Sequence, residues 1–88
     1  MKIYAAKSFV RDLNKLKDAR LRKRIDTALR TLAAAESLSN LTNVKAMEGA
    51  SDAYRMRVGD YRLGFTLQNG EITLLRCLHR RDIYRRFP

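Results

Sequence analysis

Residues Tyr54–Tyr84 read YRMRVGDYRLGFTLQNGEITLLRCLHRRDIY, and two turn signals inside that stretch decide how the chain folds. Asn69-Gly70, between Gln68 and Glu71, has the composition of a type I′ hairpin turn, whose two central residues need positive φ. Gly59-Asp60 suits a type II′ turn with glycine first. Pairing outward from both turns predicts a three-stranded antiparallel meander. Tyr54, Phe65 and Leu74 then lie side by side on one face, with Val58, Tyr61 and Leu78 as a second row and Met56 with Leu63 as a third. The other face carries Arg55, Gly64 and Leu75, then Arg57, Arg62 and Cys77, then Asp60 with His79. One face packs on the rest of the chain and the other is basic. Arg57 and Arg62 fall opposite each other, a like-charge pair that destabilises a sheet unless an anion sits over it. Arg76 falls on the apolar side beside Leu63, so it must reach past the sheet edge, or a bulge shifts the register there.

Working back toward the N-terminus, Ile3 and Ala5 alternate with Lys2, Tyr4 and Ala6, which predicts a short first strand over 2–6. Ser8 is the expected N-cap of a helix carrying Phe9, Leu13 and Leu16 at helical spacing. Lys17-Asp18 breaks that pattern. A second helix is predicted over 19–35, with Leu21, Ile25, Ala28, Leu29 and Leu32 on one face and Arg20, Lys23, Arg24, Asp26 and Arg30 on the other. Residues 36–53, rich in Ser, Asn and small side chains, read as an irregular surface loop.

The chain has 88 residues, 45% hydrophobic and 32% charged, which predicts a single domain spanning 1–88 with one small core. A formal net charge of +10 favours a polyanionic partner: nucleic acid, an anionic membrane or an acidic protein. No apolar stretch is long enough for a membrane span, and MKIYAAKSF is not a signal peptide. A single cysteine, Cys77, makes no internal disulfide, and one cysteine with one histidine makes no zinc site, so no metal and a cytoplasmic location are expected.

The segment 54–86 holds eight arginines and no lysine. A guanidinium matches phosphate bidentately where an ammonium does not. A rigid basic sheet face with Tyr84 available to stack on an unpaired base therefore points to RNA. Arg55, Arg57, Lys45 and Arg81 are the expected RNA contacts. RNA is cut without metal when its own 2′-hydroxyl attacks the adjacent phosphate, given cations around the transition state and groups that move protons. Arginine supplies charge but holds its own proton. His79 is the side chain that titrates near neutrality unperturbed, and it is the candidate acid or base. Cys77 reads as a packing residue.

The order strand, helical hairpin, loop and arginine-rich meander resembles the RelE/ParE superfamily of type II toxin–antitoxin toxins. The resemblance spans the full length, and its specific part is the Y-R-x-R strand, the G-D-Y-R turn and strand, and the terminal H-R-R-x-x-Y. It implies an α+β fold, with an N-terminal strand and helical hairpin packed on a twisted, mostly antiparallel sheet, as in small microbial ribonucleases. It implies a toxin that cleaves mRNA in the ribosomal A site without a cofactor. It also implies a cognate antitoxin, expected to be acidic and partly disordered, that wraps the toxin. Carried over, Arg55 and Arg57 are the basic strand pair, Arg62 the phosphate-binding arginine, Arg80 the transition-state arginine and Tyr84 the base-stacking tyrosine. Lysines stand in the strand pair of the best-known RelE pattern, so the role of base passes to His79. Two alternatives stay open: a ParE-like poison of DNA gyrase and a non-catalytic nucleic-acid-binding module. Arg62, His79, Arg80 and Tyr84 together favour cleavage.

Overall fold

Backbone chemistry puts both turns where the sequence calls for them. In the computed structural model, which describes residues 1–88, Asn69 and Gly70 hold φ of 52° and 75°, and Gly59 holds 60°. The elements run β1 (Lys2–Ala5), α1 (Lys7–Asn14), α2 (Ala19–Ala34), a single 3-10 turn (Leu38–Asn40), β2 (Val44–Ala46), β3 (Ala53–Val58), β4 (Tyr61–Gln68), β5 (Glu71–His79) and α3 (Ile83–Arg86). The five strands form one sheet in the order β1-β5-β4-β3-β2, with β1 parallel to β5 and the other pairs antiparallel. This is the expected α+β architecture. No helix is long and apolar enough to cross a membrane.

Asp18 explains why the helical region is two helices. Its carboxylate accepts from the backbone N–H groups of Arg20 and Leu21 at 2.9 and 3.1 Å, the N-cap geometry that stabilises a helix start by about 1 kcal/mol. From there Ile25 and Leu32 bury completely against Met56, Leu63, Phe65, Ile72 and Leu74 of the sheet, with Phe9 of α1 alongside. Ser8 is not a cap. The cap position is Ala6, and Ser8 Oγ donates to the Leu75 carbonyl at 2.6 Å. The reason is that β1 runs out at Ala5 and α1 takes over the edge of β5.

Asp12 completes that edge. It accepts from the Cys77 N–H at 3.0 Å and from Arg76 Nε and Nη2 at 2.7 and 3.1 Å. Burial pushes the Asp12 carboxyl up, but the hydrogen bonds from Arg76 and the Cys77 amide, with the Arg76 charge, outweigh it and hold the group below the usual carboxylate range. The Cys77 thiol, desolvated and beside Asp12, is pushed up to about 12 and is inert at neutral pH.

The predicted register holds between β3 and β4, where Tyr54 faces Phe65, Met56 faces Leu63, Arg57 faces Arg62 and Val58 faces Tyr61. Phe65 also meets Leu74 as expected. Beyond that point a bulge intervenes: Phe65 pairs with Leu74 but Gly64 pairs with Arg76, leaving Leu75 as the extra residue. Tyr61 therefore meets His79 and not Leu78, and Arg62 meets Leu78 and not Cys77. Both options raised by Arg76 are realised, since the register shifts and the side chain meets Asp12 at the sheet edge. His79 is moved off the face that carries Arg57 and Arg62.

That far face is not simply an open basic surface. Met47, Ala53, Leu78, Ile83 and Phe87 bury there as a second small core, with Leu75 beside them. The Phe87 ring lies flat on Gly64, where an added Cβ would stand 2.8 Å from it. The C-terminal turn α3 is fastened to the sheet by this contact. Residues 36–53 are likewise more ordered than a loop, because β2 pairs with β3 as an edge strand: Val44 with Met56, Lys45 with Arg55 and Ala46 with Tyr54.

Candidate functional site

Beside the second core, the far face opens into a cleft of about 360 Å³ lined by Thr42, Asn43, Lys45, Arg55, Arg57, Arg62 and Tyr84. Strand alternation aims Arg55 and Arg57 of β3 and Arg62 of β4 to the same side. No carboxylate lines the cleft.

The three arginines are held by different devices, Arg57 through its backbone and Arg62 and Arg55 through their guanidinium groups. Arg57 is bracketed by Asn43, whose carbonyl accepts the Arg57 N–H at 2.9 Å and whose Nδ2 donates to the Arg57 carbonyl at 3.1 Å. Arg62 Nη1 donates to the carbonyls of Gly59 and Tyr61 at 3.0 and 2.9 Å, which fixes its direction and leaves the rest of the fork available. Burial is the main reason that the Arg62 guanidinium sits below the ordinary arginine value; Tyr84 opposes the shift, and Arg57, Arg80 and Arg55 add to it. An anion entering the cleft relieves that crowding. Arg55 Nη1 donates to the Ala46 carbonyl at 3.1 Å, and its guanidinium carbon stands 5.2 Å from the centre of the Tyr84 ring. Arg55 thus supports Tyr84 through a cation–π contact. Tyr84 itself is 61% exposed, while its neighbours in the C-terminal turn, Ile83 and Phe87, are buried. A rigid mount carries an exposed ring.

Arg80 stands at the margin. Its N–H donates to the Asp60 carbonyl at 2.7 Å, and its Nε lies 4.0 Å from the Asp60 carboxylate in an exposed pair. His79 and Arg81 lie outside the cleft. His79 crosses edge-on to Tyr61 with ring centres 5.5 Å apart, in a small hollow shared with Asp12 of α1 and with Lys15 just beyond its end. Its Nδ1 accepts from the Arg81 N–H at 3.2 Å. Lys45, Arg55, Arg57, Arg62 and Tyr84 are therefore brought together, with Arg80 beside them and His79 behind Tyr61. Such a set can grip a phosphate and stack a base.

Residues 3–84 match the family described as ParE toxin of type II toxin–antitoxin system, parDE. The chain is also 38% identical over 89 residues to Toxin RelE3 of Methanocaldococcus jannaschii, with both proteins covered in full. The chain belongs to the RelE/ParE superfamily of type II toxin–antitoxin toxins. Solved structures agree. The RelB–RelE antitoxin–toxin complex from Methanococcus jannaschii is similar to this toxin with a TM-score of 0.78 and 36% identity, covering 97% of this chain and 99% of that one. The archaeal RelE–RelB complex from Pyrococcus horikoshii OT3 matches with a TM-score of 0.70 and 25% identity over 90% and 93% of the two chains.

Sequence reasoning missed Thr42 and Asn43 in this RelE-like toxin. Asn43 sits just before a three-residue edge strand, too short for any alternation to register. The one available signal was the single alternation Val44-Lys45-Ala46 after two turn-forming residues.

Proposed function

We propose that this toxin is a ribosome-dependent mRNA endoribonuclease that arrests translation in the cytoplasm and is neutralised by a cognate acidic antitoxin. The observation that carries the proposal is the pair Arg57 and Arg62, facing each other across β3 and β4 in a cleft without a carboxylate, next to an exposed Tyr84 seated on Arg55. The 2′-hydroxyl gives up its proton to water as its oxygen attacks the adjacent phosphorus, the bond from phosphorus to the 5′-oxygen breaks, that oxygen takes a proton from water, and a 2′,3′-cyclic phosphate remains, all without a metal. Arg62 and Arg57 hold the non-bridging oxygens as charge grows on them, Arg80 adds field from the margin, and Tyr84 stacks on a base that has left its neighbours. Lys45 contributes backbone contact at the mouth. The proton-transfer role expected of His79 gains no support from its position beside Tyr61, outside the cleft.

The make-up of the cleft supports ribosome dependence. With arginines, a lysine and a tyrosine but no histidine, it gains most from a partner that holds the strand with its 2′-oxygen in line for attack. The similarity to toxins solved as RelB–RelE complexes supports a cognate antitoxin here. A net charge of +10 and an open basic cleft favour an acidic segment that orders on contact.

The test is a reconstituted translation reaction in which mRNA integrity is followed with and without ribosomes. Cleavage only on ribosomes is the expected result. Cutting of naked mRNA at the same rate removes ribosome dependence. Intact mRNA together with arrested DNA supercoiling by gyrase replaces the nuclease with the gyrase-poisoning alternative.

A further inference from the structure

A second and larger hollow, about 480 Å³, lies between α2 and β3. Arg20, Lys23 and Arg24 line it from α2, and Asn43 and Arg57 belong to both this groove and the cleft. The two spaces therefore meet at Arg57.

The α2 cations divide into two groups. Arg30 is paired with Asp26 at 3.0 Å, and Arg22 Nη1 donates to the Leu13 carbonyl of α1 at 2.6 Å. Those serve the fold. Arg20, Lys23 and Arg24 have no ion pair and no side-chain hydrogen bond, and all three are exposed. Arg24 is nevertheless positioned: its Nη1 lies 2.9 Å from where a Cβ on Gly59 would stand, so it rests against the β3–β4 turn. The Gly59 carbonyl accepts from Arg62 at 3.0 Å. One turn thus seats a guanidinium from α2 and another from β4.

The chemistry of the groove favours RNA over a protein. Its apolar floor is small, the buried Met56 and Val58 with the half-buried Ala28, and the exposed large hydrophobic side chains of the chain, Tyr4, Val10 and Tyr84, are not among its lining residues. A protein partner finds little apolar area to cover, whereas a phosphate backbone needs only unpaired cations at the rim. We propose that the α2 groove is a second RNA-backbone site, continuous with the cleft through Arg57, that holds the single strand flanking the phosphate to be cut. It rests on the RNA-cutting role proposed above.

Binding of 2′-O-methyl oligoribonucleotides, which lack the attacking hydroxyl, tests it by fluorescence anisotropy at several salt concentrations. A trimer fills the cleft alone and a decamer reaches the groove. Each phosphate neutralised on a single strand adds about 0.7 to the log–log salt slope, so three cations should make the decamer slope steeper by about two. Between 50 and 200 mM salt the decamer then loses roughly fifteenfold more affinity than the trimer. Combined Arg20→Gln, Lys23→Gln and Arg24→Gln substitutions should bring the decamer slope down to that of the trimer, leaving trimer affinity and the melting temperature unchanged. Equal slopes for both lengths in the parent toxin, or an unaltered decamer slope in the variant, overturn the proposal. So does a variant that loses an RNA hairpin or a polyglutamate peptide while keeping the decamer, which assigns the groove to duplex RNA or to an acidic protein. Because nothing is cut in these measurements, a toxin that binds in this two-part way but never cleaves mRNA sinks the nuclease and leaves the groove standing.

Discussion

Arg76 at the edge of β5 and Arg62 in the cleft are the same residue on the same sheet, treated in opposite ways. Arg76 is met by a carboxylate, Asp12, which is 6% exposed and forms two hydrogen bonds with it. Arg62 is met by backbone carbonyls and by other arginines, and its neighbour Arg57 has no side-chain partner. Where an arginine closes the fold, the chain provides the counter-ion. In the cleft, where RNA is the proposed counter-ion, the chain supplies no carboxylate and like charges crowd. The partnered Arg76 closes the fold, and the cluster without a carboxylate is the surface on which the proposed function rests.

Substitutions can break that contrast. Arg62→Ala should lower mRNA cleavage on ribosomes at least a hundredfold, about 3 kcal/mol of lost transition-state stabilisation, with the melting temperature unchanged. A large fall in melting temperature would mean that Arg62 belongs with Arg76 after all. Asp12→Ala should do the reverse, costing about 2–3 kcal/mol in urea unfolding, because Arg76 and the Cys77 N–H lose a shared acceptor, while activity per folded molecule is retained. Acid sharpens the same point. The folded Asp12 carboxyl sits below its unfolded value, so its contribution is complete above the ordinary carboxylate range and is lost as pH falls through the depressed value. Asp12→Asn should therefore flatten the acid limb of stability against pH, and a limb of unchanged steepness would remove Asp12 as its cause.

Tyr84→Ala should weaken RNA binding by about 1–2 kcal/mol while Tyr84→Phe keeps most of it, the pattern of stacking. Equal losses in both variants would instead assign the role to the hydroxyl. The smallest effect is the most diagnostic. Arg57→Gln relieves a cross-strand like-charge pair and should raise stability by a few tenths of a kcal/mol to about 1 kcal/mol while lowering RNA affinity. A stability loss would show that the crowding is compensated within the fold.

Much of this arrangement was legible in the chain because it rests on local chemistry. Asn69-Gly70 and Gly59 set the turns, the turns set the β3–β4 register, and the register put Arg57 opposite Arg62. What escaped was held by distant contacts. The strand β2 exists because β3 offers it an edge, and α3 exists because Ile83 and Phe87 bury against the sheet, not because four residues favour a helix. Asp12 gave no local sign of its partner, which lies 64 residues away. His79 went to the wrong face for one reason, the extra residue at Leu75, whose only trace was the awkward parity of Arg76.

That extra residue gives β5 two phases. Upstream of it the even-numbered Ile72 and Leu74 join the main core; downstream the odd-numbered Cys77 does, and the even-numbered Leu78 goes to the C-terminal core. Losing that one residue would consequently restore regular alternation, because Leu74 would be followed directly by Arg76, and Cys77 and Leu78 would keep the partners and faces they have now. Leu78 would stay in the seat on which Phe87, and with it Tyr84, depends, and only the Leu75 side chain beside it would go. The bulge is therefore the place where β5 of this toxin can shorten by one residue without turning its outer half inside out.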